Sequence, residues 1–198
     1  MIDQQTTVQA YPIAPDWQVS QWFNTRSPLS LGRLRGHIVL LHAFQMLCPG
    51  CVSHGVPQAE RVHREYAGHG VTVIGLHTVF EHHAAMMPVA LEAFLHEYRI
   101  THPVGVDAVG AQGDPIPLSM RRYGLRGTPS LMLIDRAGRL RVHEFGRVDD
   151  LQLGVWLGRL LAEQVWFIGD SAEESNQALP IDACDTQACP ADIRRGKD

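Results

Sequence analysis

An α/β fold with a central mixed sheet follows from three features of the sequence. Three apolar runs of strand length read as buried strands. Stretches of helical period lie between the first of them, and a tight turn joins a closing pair of strands ahead of the last helix. The chain divides into an extension over 1–36, a folded body over 37–168 and a polar tail over 169–198.

The elements follow in order. In the extension, Pro12, Pro15, Pro28 and Gly32 break any long element, and "WQVSQWF" (17–23) alternates as a short strand does. "HIVLLHAF" (37–44) is continuously apolar, the pattern of a strand covered on both faces. From Pro49 onward, Val52, Val56, Ala59, Val62 and Tyr66 recur at three- and four-residue spacing and form one helix face. Pro57 lies inside that pattern, removes a donor and predicts a kink. "GVTVIGLHTV" (70–79) is a second buried strand. Pro88 opens a second helix at a first-turn position, with Leu91, Phe94, Leu95 and Tyr98 as its stripe. "PVGVD" (103–107) makes a short strand, residues 108–119 a loop, and "MRRYGLRG" one helical turn. "PSLMLID" (129–135) is the third buried strand, and "DRAG" turns it into the half-exposed "RLRVHEFG". Residues 149–166 form the last helix, where Trp156 and Trp166 read as core packing. Strands joined through helices are expected to run parallel, with the hairpin adding an antiparallel edge.

Composition narrows the function. The chain is 45 % apolar and 19 % charged with net charge −4, which points away from nucleic acid and membrane surfaces. No apolar run approaches the roughly 20 residues of a bilayer span. "MIDQQTTVQAYPIAP" lacks a basic start and an apolar core, so a cytoplasmic location is expected, and a periplasmic one only if a leader has been removed.

Four cysteines form two close pairs, Cys48/Cys51 and Cys184/Cys189. Without a secretory context, close pairs read as redox-active or metal-binding. Cys48 falls at the N-cap of the helix that Pro49 begins, where unpaired amides and a positive macrodipole favour a thiolate. Two intervening residues bring both sulfurs onto one turn. Cys48 then attacks a substrate disulfide, and the more buried Cys51 resolves the mixed disulfide. Pro49 needs no donor and stiffens the turn, and Gly50 leaves the backbone open to a partner. The competing reading is half a zinc site completed by Cys184 and Cys189.

"SLGRLRGHIVLLHAF", "CPGC" and "YGLRGTPSLMLIDRAGRLRVHEFG" together resemble the thioredoxin superfamily, and within it thiol–disulfide oxidoreductases of the TlpA/ResA type. The likeness covers roughly residues 28 to 165. It implies a thioredoxin-like fold with an inserted helix–strand unit at 88–107, consistent with the 81 positions from Cys48 to Pro129. It implies a cis peptide at Thr128–Pro129, with the Thr128 backbone pairing to a substrate strand. Pro57 resembles the family's helix-kinking proline. The substrates implied are protein or small-molecule disulfides and dithiols, served by an external electron donor of the thioredoxin or glutathione kind. No cofactor is implied, because the dithiol carries the electrons.

Three positions depart from the family. Leu47 stands where thioredoxins carry Trp, His42 where they carry a buried Asp, and His54 where ResA-like proteins carry Glu. A neutral imidazole at His42 or His54 is a candidate proton shuttle; the alternative is a core histidine and a helix-surface one. A peroxiredoxin layout is similar, but its Pro-x-x-x-Thr-x-x-Cys fails, with Leu41 and Gln45 ahead of Cys48 and Phe44 and Cys48 ahead of Cys51. Peroxide reduction stays the second reading, and a zinc- or copper-binding module on the same fold the third.

Two further stretches carry chemistry. Cys184 and Cys189 in "CDTQACP" suit a second redox pair that relays electrons, a metal site, or a disulfide without a role. "HTVFEHHAAMMP" offers His77, Glu81, His82, His83, Met86 and Met87, either as copper ligands or as a loop whose methionines pack or cover a partner site.

Overall fold

The computed structural model describes residues 11–111 and 114–163. Six strands form one sheet in the order β1-β4-β3-β2-β5-β6. They are β1 (Val19–Phe23), β2 (Ile38–Phe44), β3 (Val71–His77), β4 (Val104–Asp107), β5 (Ser130–Ile134) and β6 (Leu140–Phe145). The helices are α1 (Val56–Tyr66), α2 (Pro88–Glu97), α3 (Leu118–Tyr123) and α4 (Asp150–Ala162).

β2 is central, and all seven of its residues are buried. That is why its sequence is a continuous apolar run rather than an alternating one. Alternate residues serve two faces. Val39, Leu41 and Ala43 join Ile74, Leu76, Met132 and Ile134 beneath Trp17, Met120 and Tyr123. On the other face Ile38 and Leu40 meet Ala59 and Val62 of α1 and Leu153, Leu157 and Leu160 of α4. Further along that face, Phe44, Cys51 and Val56 pack with Leu91 and Leu95 of α2.

The register corrects one expectation. β2–β3 and β3–β4 are parallel, as the intervening helices require. Antiparallel pairing, however, is not confined to the β5–β6 hairpin: β5 runs antiparallel to β2, and β1 antiparallel to β4. α3 is too short to carry the chain back across the sheet, so β5 enters beside β2 from its carboxyl end. Ser130 therefore sits opposite Ala43, close to the start of the cysteine motif.

The helix after the motif also differs from the regular spacing expected. Residues Cys51–Gly55 are π-helical, and the Val56 amide donates to the Cys51 carbonyl five residues back. The irregularity precedes Pro57 rather than sitting on it. A proline ring clashes with the carbonyl four residues earlier, here that of Ser53, and the widened turn relieves this. α4 is capped by the Asp149 carboxylate, which accepts from the amides of Leu151 and Gln152, and it ends at Ala162 rather than 166. Trp156 packs against the core, whereas Trp166, Cys184 and Cys189 lie outside the described residues.

Candidate active site

The site forms where β2 ends, the π turn begins and β5 starts. The Cys48 carbonyl accepts the Val52 amide at 3.1 Å, so the first turn winds directly from this residue. The Cys51 amide points at Cys48 Sγ at 3.3 Å. This is the capping geometry expected of a helix N-terminus, with sulfur as the acceptor. The Cys48 thiol in turn donates to the Thr128 carbonyl at 3.4 Å. Cys48 is half-buried and Cys51 fully buried, and both are free thiols. Burial, reinforced by the hydrogen bond with Cys48, pushes the Cys51 thiol up to about 12.

The Thr128–Pro129 peptide is cis. Pro129 leans on the turn: a Cβ built on Gly50 would meet its Cδ at 3.4 Å. Pro49 and Gly50 are exposed beside it, which leaves the Cys48 sulfur, the first turn and the Thr128 backbone open on one surface. Gln45, buried under the motif, accepts the Phe80 amide and donates to Glu81, each at 3.3 Å, and so ties the loop after β3 to the turn.

The two histidines differ. His42 is buried on β2 beneath Gly55, stacked on Phe44 with ring centroids 5.7 Å apart. Neither of its ring nitrogens has a hydrogen-bond partner among the described residues. Burial, with smaller contributions from His102 and His54, lowers its pKa to about 3, so the ring is a weak base. His54 is half-buried and its Nε2 lies 2.7 Å from the Val148 carbonyl. A carbonyl only accepts, so Nε2–H donates.

Two buried acids were not singled out from the sequence. Glu60 on α1 accepts from the Thr101 amide and hydroxyl at 3.0 and 2.6 Å and faces His102 Nδ1 at 2.7 Å. These bonds outweigh desolvation and hold its pKa at about 2. Asp107 at the end of β4 accepts from Ser119, Met120 and Thr78 at 2.8–2.9 Å and anchors the start of α3. In the sequence, Glu60 looked like one more polar helix position. His82 and His83 are exposed and Met86 is buried. Among the described residues no group of three or more His, Cys, Asp or Glu side chains converges as a metal site.

A central mixed sheet with a dithiol at a helix start facing a cis-proline defines a thiol–disulfide oxidoreductase of the thioredoxin fold. The comparisons agree. A crystal structure of a thioredoxin-like superfamily protein is 54 % identical, with TM-score 0.75, covering 78 % of this chain and 99 % of that one. A thiol-disulfide isomerase from Corynebacterium glutamicum is 50 % identical, with TM-score 0.74, covering 78 % and 98 %. A thioredoxin-like protein solved in its oxidized form shares the fold at 21 % identity and TM-score 0.62 over 77 % of this chain and 95 % of its own. No family model matches. NHL repeat-containing protein 2 of Gallus gallus is 33 % identical over 90 residues, which are 44 % of this chain and only 12 % of that protein. The chain belongs to the thioredoxin superfamily, among its thiol–disulfide oxidoreductases.

Proposed function

We propose that the CPGC dithiol exchanges disulfides with protein substrates, with Cys48 as nucleophile and Cys51 as resolving thiol. The observation that carries this reading is the pairing of exposures: a half-buried sulfur under a helix-start amide, backed by a fully buried thiol on the same turn. The Cys48 thiolate attacks one sulfur of the substrate disulfide, the substrate S–S bond breaks, and the departing thiolate takes a proton. Cys51 then gives up its proton and attacks the Cys48 sulfur. The second substrate thiol leaves, and a Cys48–Cys51 disulfide holds the two electron equivalents of oxidation. A dithiol donor of the thioredoxin or glutathione kind returns the pair to its reduced form. The reverse sequence oxidises a substrate dithiol, and the pair's potential against its partner's sets the direction.

The substrate strand lies along Thr128 and Pro129 and over Pro49 and Gly50, on the surface shared with the Cys48 sulfur. A thiol with a pKa of about 12 needs a base. His54, half-buried and three residues after Cys51, is the better acceptor; His42, a weak base wedged under Gly55, supports the turn instead. Turnover of insulin disulfides with a small dithiol tests the assignment. Cys48→Ser is expected to abolish it. Full activity in that variant would overturn the reading.

A further inference from the structure

A cavity of about 340 Å³ opens at the carboxyl ends of β3 and β4. It lies on the opposite side of β2 from Pro129, since β3 and β5 flank that strand on either side. Carboxyl-end crevices are where open α/β sheets take ligands, and this volume is at the small end of ligand pockets. Met86, on its wall, belongs to the same apolar cluster as Cys48 and Cys51.

The wall chemistry is selective. Most of it is carbon and thioether, including Met86, Met87 and three proline rings. His77 lines it, is 1 % exposed, and has no partner for either ring nitrogen among the described residues. A buried imidazole left without a hydrogen-bond partner calls for an explanation. Asp107 and Asp114 are the carboxylates of the lining and oppose an anionic guest. Their oxygens are already engaged, Asp107 by Ser119, Met120 and Thr78 and Asp114 by Ile116 and Arg121, so neither welcomes a cation. A neutral aromatic ring with one N–H or O–H fits these walls: thioethers favour ring contacts, and a buried phenol or indole needs a polar partner. The rim is apolar and open, with Met87 52 % and Val109 80 % exposed, as is Leu47 at 57 % beside Cys48. An open apolar rim, together with the exposed Leu47 next to the nucleophile in sequence, suits a guest carried on a polypeptide.

We propose that this cavity is a specificity pocket for a tyrosine or tryptophan side chain of the polypeptide substrate, seated while the substrate disulfide meets Cys48. The substrate half of this statement rests on the dithiol reading above, whereas occupancy of the cavity does not. Titration of the full chain, ¹³C-labelled at methionine methyls, with N-acetyl-tyrosinamide is expected to move Met86 and Met87 saturably. N-acetyl-phenylalaninamide, which lacks the hydroxyl, binds about fivefold more weakly, and N-acetyl-alaninamide leaves both methyls unmoved. His77→Phe removes the fivefold difference; should that variant misfold, Val109→Asp at the rim weakens both aromatic probes. In turnover, a disulfide peptide with one tyrosine walked along its flanks is expected to gain about tenfold in kcat/KM over its alanine parent at the best position, and Val109→Asp lowers that ratio toward one. Unmoved methyls overturn the pocket. Saturable movement with a ratio of one at every position assigns the cavity to a free small aromatic and overturns the polypeptide guest. Saturable copper(I) binding at the same methyls assigns it to a metal and overturns the proposal. Lost turnover in Cys48→Ser with intact tyrosinamide binding separates this pocket from the dithiol.

Discussion

Replacing Gly55 by alanine decides whether His42 is packed as tightly under the redox helix as the geometry implies. Gly55 has φ −62° and ψ −48°, ordinary helical values that alanine adopts freely. On backbone grounds alone Gly55→Ala would stabilise the protein by about 0.5–1 kcal/mol. The added Cβ, however, would lie 2.4 Å from His42 Nε2, 3.0 Å from its Cε1 and 3.3 Å from Pro129 Cβ. His42 cannot swing aside, because it is stacked on Phe44 with its ring 4° from parallel and sits on the central strand. Overpacking of this kind costs about 1–3 kcal/mol. The clash outweighs the propensity gain, and the net is a loss of up to about 2.5 kcal/mol, or up to about 10 °C in Tm for a chain of this size. Urea unfolding of the reduced protein, followed by tryptophan fluorescence, measures it. With His42→Val as background the ring is gone, so Gly55→Ala should change sign and stabilise. A stabilising Gly55→Ala in the parent protein would refute the packing argument.

Four other outcomes are expected. His42 and His77 have pKa values lowered by burial to about 3 and about 4 from 6.5. The unfolded chain thus binds protons that the folded one does not, and each histidine removes up to about 1.4 kcal/mol of stability per pH unit below 6.5 until its folded pKa is reached; urea titrations at pH 7 and pH 5 measure the slope, and His42→Val should flatten it. Iodoacetamide at pH 8 is expected to label Cys48 in the native dithiol and spare Cys51, whose thiol sits near 12, with both labelled in urea; mass spectrometry reads the sites. Glu60→Gln strips the charge from the bonds to Thr101 and His102 and should destabilise by about 2–3 kcal/mol; because Glu60 titrates near 2 folded, its contribution is full above 4.5 and disappears as pH falls toward 2, so the variant's deficit at neutral pH should narrow in acid. His54→Gln should slow resolution of the mixed disulfide more than its formation, as single-turnover kinetics measure; an unchanged resolution rate would take the base role from His54.

The central strands were legible because burial on both faces leaves a local mark, an unbroken apolar run such as "IVLLHAF". The two-residue spacing of Cys48 and Cys51 and the Gly-Thr-Pro before a strand are equally local, and resemblance added the cis peptide at Pro129. What was not legible is relational. The direction of β5 depends on which edge of β2 is free, and no single segment encodes that. The π turn at Cys51–Gly55 arises between Pro57 and its carbonyl neighbours, in a stretch whose apolar spacing still reads as a plain helix. The pairing of Glu60 with His102 joins residues 42 positions apart, so an ordinary-looking helix glutamate turns out to be buried and charged. The same holds for Gly55, whose missing side chain matters only because His42 lies beneath it.

Trapping the mixed disulfide tests the central claim most directly. Cys51→Ser removes the resolving thiol and leaves the half-buried sulfur in place. Incubated with an oxidised protein substrate, this variant is expected to accumulate a one-to-one covalent adduct that a reductant releases, with peptide mapping locating the bond at Cys48. An adduct at another cysteine, or turnover that continues with none forming, would contradict the account.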